Sequence, residues 1–227
     1  MPNVLITGAG RGIGLATAKA FAAAGWSVSG VDREFADFPH GRKTEYDLEN
    51  LEGIPGLIAS LGEIHALVNN AGMQNALPYD QYPEKARQKI LRINLEAPAA
   101  LIAAVAPQMK RRGSGRIVNL CSIAAYQPHP DLWYGITKAG IASMTKSFAS
   151  YLGRHGVQVN AVAPGPVDTE LLKIIDAGRR EALLKQVYTG RTGTPEEIAA
   201  AILWLCTGAP PIVNGAILDI NDGTYPR

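Results

Sequence analysis

Short, mostly apolar runs alternate along the chain with longer stretches in which apolar residues recur at helical spacing. The runs predict strands at residues 4–6, 27–31, 43–46, 64–68, 116–120, 157–162 and 212–220. The stretches predict helices at residues 15–24, 54–61, 84–110, 134–152, 171–187 and 195–205. Strands that alternate with helices favour parallel pairing, and strands covered on both faces are nearly all apolar. The pattern therefore predicts an α/β fold, a single doubly wound parallel sheet flanked by helices, as one domain over residues 1–227.

Composition and charge narrow the class of protein. Hydrophobic residues make up 47% of the chain and charged residues 19%, and the formal net charge of +2 gives little support to nucleic-acid binding. The two cysteines and four histidines are scattered, so we expect no disulfide framework and no metal site. The opening residues do not read as a signal peptide, and no uncharged apolar run approaches a membrane span. We therefore expect a soluble, cytoplasmic protein that does not bind membranes.

A glycine-rich turn joins the first predicted strand to the first predicted helix. It begins at Thr7 and carries Gly8, Gly10, Gly12 and Gly14. Glycines allow a sharp turn and a close approach to a pyrophosphate. The helix after them points free N–H groups and the positive end of its dipole at the phosphates. This position favours a dinucleotide site, with a glycine-rich turn that holds no ligand as the alternative.

The second predicted strand ends at Asp32, 18 residues after Gly14. A carboxylate there can accept hydrogen bonds from both hydroxyls of an adenosine ribose, and it repels a 2′-phosphate. Asp32 therefore favours NAD over NADP as the cofactor. Arg11 and Arg33 argue in the other direction, because guanidinium groups near that ribose could hold a phosphate. The alternative for Asp32 is a solvated carboxylate at the end of a strand.

Tyr134 and Lys138 are four residues apart at the start of a predicted helix, so their side chains share one face. A phenol is a poor acid–base group at neutral pH, and a nearby ammonium favours the phenolate and lowers its pKa. Such a pair can move a proton while a hydride moves. Ser122 follows a predicted strand at its carboxyl end, where ligands bind in such sheets. Ordinary surface packing of Tyr134 and Lys138 is the alternative.

Several motifs in order make the chain resemble the classical short-chain dehydrogenases/reductases, essentially from end to end. They are Thr7-Gly8-x-x-x-Gly12-x-Gly14, Asn69-Asn70-Ala71-Gly72, Asn94, Ser122, Tyr134-x-x-x-Lys138, Pro164-Gly165 with Thr169, and the segment from Arg191 to Ala199. The resemblance implies a Rossmann-like fold and an NAD(P)-dependent oxidoreductase that acts on CH–OH groups. It also implies a small-molecule alcohol or carbonyl substrate and a homodimer or homotetramer.

The resemblance assigns catalysis to four residues. Tyr134 is the acid/base, and Lys138 lowers the pKa of its hydroxyl and binds the nicotinamide ribose. Ser122 holds the substrate oxygen, and Asn94 completes a proton relay through a water molecule. Pro98 lacks the N–H that a helix would offer to the Asn94 carbonyl four residues earlier. We expect that carbonyl to be free for the water, with a simple helix kink as the alternative.

The resemblance also assigns the cofactor contacts. The positions are Gly8, Gly12, Ile13, Gly14, Asp32, Asp47, Leu48, Asn70, Gly72, Tyr134, Lys138, Val167 and Thr169. The glycine turn wraps the pyrophosphate, Asp32 binds the adenosine ribose, and Asp47 with Leu48 contacts adenine. Val167 and Thr169 hold the nicotinamide carboxamide and so select the face of the ring. The segment between Asp32 and Asp47 is short for the family, which makes the adenine contacts the least defined part.

Other functions stay open on the sequence. They are an NADP-dependent ketoreductase of the 3-oxoacyl or polyketide type, an epimerase or dehydratase on the same fold, and a non-catalytic dinucleotide-sensing protein. Four residues are candidates for lining the substrate pocket. Gln74 follows the Asn69–Gly72 motif, and three others precede Tyr134, namely Gln127, His129 and Trp133. An apolar lid is a further hypothesis, with ordinary helix packing as its alternative, and its residues are Leu171, Leu172 and Ile175.

Overall fold

The computed structural model describes residues 1–173 and 177–226. Its centre is a seven-stranded sheet in the order β3-β2-β1-β4-β5-β6-β7, in which all neighbouring strands are parallel. The strands are β1 Asn3–Thr7, β2 Ser27–Asp32, β3 Arg42–Glu45, β4 Ala66–Asn69, β5 Gly115–Leu120, β6 Val157–Pro164 and β7 Ile217–Ile220. The predicted doubly wound parallel sheet is confirmed, and β7 is shorter than predicted.

Eight α-helices are present among the described residues. They are α1 Gly12–Ala23, α2 Ile54–Leu61, α3 Glu84–Leu91, α4 Ala97–Arg112, α5 Leu132–Gly153, α6 Glu170–Lys173, α7 Ala177–Leu184 and α8 Pro195–Thr207. The helix predicted over residues 171–187 is thus present as α6 and α7, and residues 174–176, with Ile175, lie outside the described residues. No helix lies between β2 and β3, where all residues are described.

The helix predicted over residues 84–110 is divided by a π-helical turn, Arg92–Glu96, between α3 and α4. Pro98 lies in the first turn of α4, directly after the π-helical turn that contains Asn94. The whole stretch Glu84–Arg112 is long and apolar enough to cross a membrane, with a mean hydropathy of 1.4 over its most apolar window. Half of that window is buried within the fold, and helices of a protein core pass the same test of length and composition.

Two apolar layers hold the helices on the sheet. On one face, α2, α4 and α5 pack against the strands, with Leu101 and Ile102 of α4 fully buried. On the other face, α1 and α8 pack together over the sheet, with Phe21 and Ile202 fully buried. Each fully buried side chain of this size contributes about 1.5–3 kcal/mol to the stability of the fold.

A chain of buried polar groups ties α5 to the middle of the sheet. Asn69 donates from Nδ2 to Oδ1 of Asn119 at 2.8 Å, and Asn119 donates to Oγ1 of Thr145 in α5 at 3.0 Å. All three side chains are nearly inaccessible to solvent. Buried hydrogen bonds of this kind set one alignment of helix on sheet, because any shift leaves a polar group unpaired. Since α5 carries Tyr134 and Lys138, this network also places the candidate site.

The order of the strands reverses between β1 and β4, because the chain leaves β1 toward β2 and then returns to its other side. In open parallel sheets a crevice forms at such a switch point, outside the carboxyl ends of the strands. The glycine turn follows β1, and the segment that begins at Asn70 follows β4. The fold therefore brings the two motifs together on opposite sides of one crevice.

Candidate active site

A cavity of about 440 Å³ lies at the carboxyl ends of β1, β4, β5 and β6. Eight of the predicted site residues line it, and they are Ile13, Asn70, Gly72, Ser122, Tyr134, Lys138, Val167 and Thr169. The other predicted positions lie outside this lining. The sequence motifs, which are spread over more than 150 residues, therefore converge on one cleft.

The glycine turn is packed so tightly that side chains are excluded from Gly8, Gly10 and Gly14. A Cβ on Gly14 would lie 1.9 Å from the carbonyl oxygen of Gly8 and 2.6 Å from Nδ2 of Asn70. Gly8 has a φ of +66°, a conformation that favours glycine, and its Cβ would lie 2.8 Å from the same Asn70 nitrogen. This turn brings backbone to the edge of the cleft at the start of α1, where a phosphate group fits.

Asn70 and Thr7 fasten the glycine turn to the end of β4. Nδ2 of Asn70 donates to the carbonyl oxygens of Thr7 and Gly8, both at 3.0 Å. Oγ1 of Thr7 accepts from the N–H groups of Asn70 and Ala71, both at 3.1 Å. These bonds join two strands that are neighbours only in the folded sheet. Thr7 therefore has a structural part in the site that the sequence motif alone did not identify.

Asp32 lies at the end of β2 and faces the glycine turn. Its Oδ2 accepts from the N–H of Gly10 at 2.9 Å, and its Oδ1 accepts from the N–H of Arg33 at 2.8 Å. The carboxylate is partly exposed, so it has room for further hydrogen bonds on its open side. Asp32 is therefore placed where a ribose beside the turn would meet it.

The two predicted adenine contacts differ in exposure. Asp47 is exposed, and its Oδ1 accepts from the N–H of Glu49 at 3.0 Å. Leu48 is buried, and its side chain packs in the core beneath α2 and α4. A contact from Leu48 to a ligand is therefore limited to its backbone. Sequence spacing could not separate these two neighbours, because burial depends on how the loop lies on the core.

Tyr134 and Ser122 form a pair of hydroxyl groups in the cleft. Burial raises the pKa of Tyr134 to about 12, and its side-chain hydrogen bond with Ser122 acts in the opposite direction. Ser122 follows β5, and its own Oγ accepts from the N–H of Ala124 at 3.1 Å. The ring of Tyr134 lies 4.9 Å from the ring of His129, centre to centre. A carbonyl oxygen that reaches both hydroxyl groups would meet two donors.

Lys138 lies one helical turn beyond Tyr134, and only 5% of its surface is exposed. Its Nζ donates to the carbonyl oxygen of Leu120 at 2.7 Å and lies 5.5 Å from the centre of the Tyr134 ring. Burial lowers the pKa of Lys138 to about 8, because an apolar environment disfavours the ammonium. The amine is therefore fixed beside the phenol and titrates close to physiological pH.

The effects that set the pKa of Tyr134 differ from those expected from the sequence. The spacing predicted that the Lys138 ammonium lowers the pKa of the phenol, whereas in this structure burial is the largest effect and raises it. Desolvation penalises both charged forms, the phenolate and the ammonium, when the two groups share one buried cleft. Spacing along a helix carries no information on that burial.

Asn94 lies in the π-helical turn, and its side chain is almost completely buried. Its Oδ1 accepts from the N–H of Met73 at 2.9 Å, and its Nδ2 donates to the Met73 carbonyl at 2.8 Å and to Oγ1 of Thr137 at 3.2 Å. A Cβ on Gly72 would lie 3.5 Å from that Oδ1 and 3.7 Å from Nζ of Lys138. Gly72 therefore lies beside both side chains at ordinary contact distance. Isolated π-helical turns are common at functional sites.

Three of the four residues predicted to line the substrate pocket do so in the structure. Gln74, Gln127 and His129 line the cavity, as predicted. Trp133 does not line it, so that prediction is wrong: its ring packs against Tyr82, at 6.4 Å between centres, and under the Arg87 guanidinium at 5.3 Å. Trp133 directly precedes Tyr134 on α5, and neighbouring residues of a helix point about 100° apart, so only one of them faces the cleft.

Two of the three predicted lid residues, Leu171 and Leu172, lie in α6. Leu172 is buried and lines the cavity, together with Leu183 and Gln186 near the end of α7. Ile175, the third predicted lid residue, lies outside the described residues. The part of the chain that the structure describes therefore closes one side of the cleft with apolar side chains and one amide.

A glycine turn at the switch point of a parallel sheet, beside a half-buried tyrosine and a buried lysine, is typical of dinucleotide-dependent oxidoreductases. A family model described as enoyl-(acyl carrier protein) reductase matches residues 8–225. The chain belongs to the classical short-chain dehydrogenases/reductases, a family of NAD(P)-binding enzymes that act on CH–OH groups.

Curated relatives match over nearly their whole length. Gluconate 5-dehydrogenase of Gluconobacter oxydans is 33% identical, over 97% of this chain and 93% of the relative. A 3-oxoacyl-(acyl-carrier-protein) reductase of Vibrio cholerae is 32% identical, over 97% of this chain and 96% of the relative. The two relatives act on different substrates, so similarity at this level does not select one.

Solved structures show the same fold. A Beutenbergia cavernae protein, provisionally assigned as an NAD(P)-dependent gluconate 5-dehydrogenase, was solved with NADP bound at low occupancy. It superposes with a TM-score of 0.92 at 30% identity, over 98% of this chain and 96% of its own. An Agrobacterium tumefaciens protein, provisionally assigned as a 2-deoxy-D-gluconate 3-dehydrogenase and solved with NADP, also gives 0.92 at 30% identity, over 100% and 97% of the chains.

Proposed function

We propose that this enzyme transfers a hydride between NAD(H) and a small secondary alcohol or ketone, with Tyr134 as the acid/base. The observation that supports this most directly is the hydroxyl pair of Ser122 and Tyr134, with Lys138 buried beside it, inside the cavity at the switch point. A carbonyl oxygen bound between two hydroxyl donors is polarised and so becomes a better hydride acceptor.

The residues around the cleft fit a nicotinamide dinucleotide. Gly8 and Gly14 carry no side chain, so the glycine turn packs closely on Asn70 and on itself, and the start of α1 would support the pyrophosphate. Val167 and Thr169 line the same cavity, and we expect them to hold the nicotinamide carboxamide. A bound nicotinamide supplies or accepts the hydride, and in its oxidised form it adds a positive charge to the site. Positive charge near Tyr134 favours its phenolate.

The proton follows a path through the protein's own side chains. In reduction, Ser122 and Tyr134 donate hydrogen bonds to the substrate oxygen, and the Tyr134 hydroxyl gives its proton to that oxygen as negative charge develops. Lys138, held by the Leu120 carbonyl, stabilises the phenolate that forms. Asn94 anchors the neighbouring loop and completes the relay that returns a proton. Oxidation of an alcohol follows the same steps in reverse.

Asp32 supports NAD as the preferred cofactor. Its carboxylate is fixed beside the glycine turn by the Gly10 N–H, and a negative charge there opposes a 2′-phosphate. The solved relatives that hold NADP favour the alternative, as do the exposed neighbours Arg11 and Arg33. An NADP-dependent ketoreductase on 3-oxoacyl substrates is therefore the second candidate function.

A panel of secondary alcohols and ketones, assayed with both cofactors, tests the function. We expect the ratio of kcat/KM for NADH to that for NADPH to exceed about 10 in the native enzyme, as one opposed charge costs at least 1.4 kcal/mol. Asp32→Asn should reduce this ratio about ten-fold, whereas the matched control Asp37→Asn, an exposed carboxylate in the following loop, should not. A native preference for NADPH would contradict the assignment of NAD, and turnover of 3-oxoacyl thioesters alone would favour the second candidate.

The pH dependence of turnover should change sign with the direction of reaction. The pKa of Lys138 is lowered to about 8 by burial, so below that pH the Tyr134–Lys138 pair holds both protons, and above it the pair loses one. Reduction needs both, so its kcat/KM should be constant up to about pH 8 and then fall about ten-fold per pH unit. Oxidation needs the singly deprotonated pair, so its kcat/KM should rise up to about pH 8.

These profiles are measured from initial rates between pH 6 and 10 at constant ionic strength, because kcat/KM reports the ionisations of the free enzyme. A reduction rate that stays flat up to pH 10 would contradict this assignment. Assembly as a homodimer or homotetramer and a cytoplasmic location stay predictions, and light scattering of the purified enzyme would measure the assembly.

A further inference from the structure

Asp131 is a completely buried carboxylate beside the candidate site, and the sequence motifs do not include it. Its Oδ1 accepts from the N–H of Tyr134 at 3.1 Å, which caps the start of α5. Its Oδ2 accepts from the N–H groups of Asn75 at 2.7 Å and Ala76 at 3.1 Å. One side chain therefore joins two segments that lie 55 residues apart or more in the chain.

A helix cap alone does not require this residue. Serine, threonine and asparagine cap helix starts about as well as aspartate, and they bury no charge. A buried carboxylate is costly unless hydrogen bonds satisfy both of its oxygens. Here each oxygen is used, and one serves the helix while the other serves the loop. The second half of this arrangement, the bond to the loop, is the part that a cap does not explain.

The loop that Asp131 holds forms a wall of the cavity. Gln74, which precedes the two bonded amides, lines the cavity beside Gly72. Ala76 adopts a φ of +53°, an uncommon conformation for a residue with a Cβ that persists only when its surroundings hold it. Asn75 is held a second time, because its Nδ2 donates to the Tyr82 hydroxyl at 2.7 Å.

We propose that Asp131 is a positioning residue that fixes the 73–76 loop against the start of α5, and so sets the distance between the substrate-contacting wall at Gln74 and the Tyr134 hydroxyl. The proposal rests on the function proposed above and adds a determinant of substrate binding to it. Asp131 touches neither substrate nor cofactor. It acts through the backbone of the two segments that do.

Asp131→Ser separates the two halves of this role. A serine oxygen retains the cap on the Tyr134 N–H but lacks the second oxygen that reaches Asn75 and Ala76. We expect the KM for the alcohol or ketone to rise about ten-fold, equal to about 1.4 kcal/mol of binding free energy, with the Kd for NADH changed less than about two-fold. Asp131→Ala loses both bonds, and its kcat should fall as well, because the start of α5 loses its cap.

Thr194→Ala is the matched control for a lost helix cap. Thr194 caps α8 by accepting from the Glu197 N–H at 3.3 Å, and its removal should lower the melting temperature without changing KM. A KM change in Asp131→Ser but not in Thr194→Ala therefore separates positioning from general destabilisation.

Amide hydrogen exchange gives a readout that does not depend on turnover. In Asp131→Ser, exchange should accelerate at least ten-fold in the peptide that contains Asn75 and Ala76 and stay unchanged at the start of α5. Unchanged exchange in that peptide, or an unchanged KM for substrate, would overturn the proposal. If the native enzyme turned over no alcohol or ketone, the proposed function would fail, while the exchange result would still decide whether Asp131 fixes the loop.

Discussion

Tyr134→Phe should lower kcat by about 10³-fold in either direction while the protein keeps its fold and its affinity for cofactor. General acid–base groups contribute about 10² to 10⁴ to a rate. Of the two hydroxyl groups proposed to bind the substrate oxygen, that of Tyr134 lies on the same helix as Lys138, one turn away. Phenylalanine fills the same space beside His129, so packing is preserved. Loss of the hydrogen bond with Ser122 should cost only about 1 kcal/mol of stability.

The measurement is steady-state turnover together with fluorescence titration of NADH. Tyr151→Phe is the matched control, because Tyr151 lies on the same helix α5 and is 66% exposed. It removes the same atom, and we expect native kinetics from it. If Tyr134→Phe retained native turnover, the hydroxyl would have no chemical role and the proposed mechanism would be wrong.

Gly14→Ala should abolish cofactor binding at ordinary concentrations. The added Cβ would lie 1.9 Å from the Gly8 carbonyl oxygen, which is backbone and cannot rotate away as a side chain could. The glycine turn must then shift, and its phosphate contacts are lost with it. We expect the Kd for NADH to rise about 100-fold, equal to about 2.8 kcal/mol of binding free energy. A loss of stability of about 1–3 kcal/mol should accompany it because the turn is overpacked.

Gly56→Ala is the matched control for this substitution. Gly56 lies within α2, and no atom lies within 4 Å of the position that its Cβ would occupy. Alanine there should leave the Kd unchanged and stabilise the fold by about 0.5–1 kcal/mol, because it favours helix more than glycine does. Calorimetric titration with NADH and thermal unfolding measure both effects. Native affinity in Gly14→Ala would show that the turn does not hold the phosphates.

The alternation of strand and helix could be predicted from the sequence because each element carries its own period of apolar residues. The glycine turn and the pair Tyr134 and Lys138 were readable for the same reason, since a turn and one helical face are local in sequence. The division of the predicted 84–110 helix was not, because a π-helical turn such as Arg92–Glu96 depends on what packs around it. The prediction that Trp133 lines the cavity was wrong because Trp133 and its neighbour Tyr134 point in different directions from the helix.

The sequence by itself determined the parallel sheet, the glycine turn after its first strand, and the place of Tyr134 and Lys138 on one face of a helix. Local rules decide these features, namely periodicity, glycine conformation and helical spacing. Only the tertiary structure decided that burial raises the pKa of Tyr134 and lowers that of Lys138, and that the carboxylate of Asp131 holds a distant loop. Desolvation and contacts between remote segments depend on the packed fold as a whole, so no window of sequence contains them.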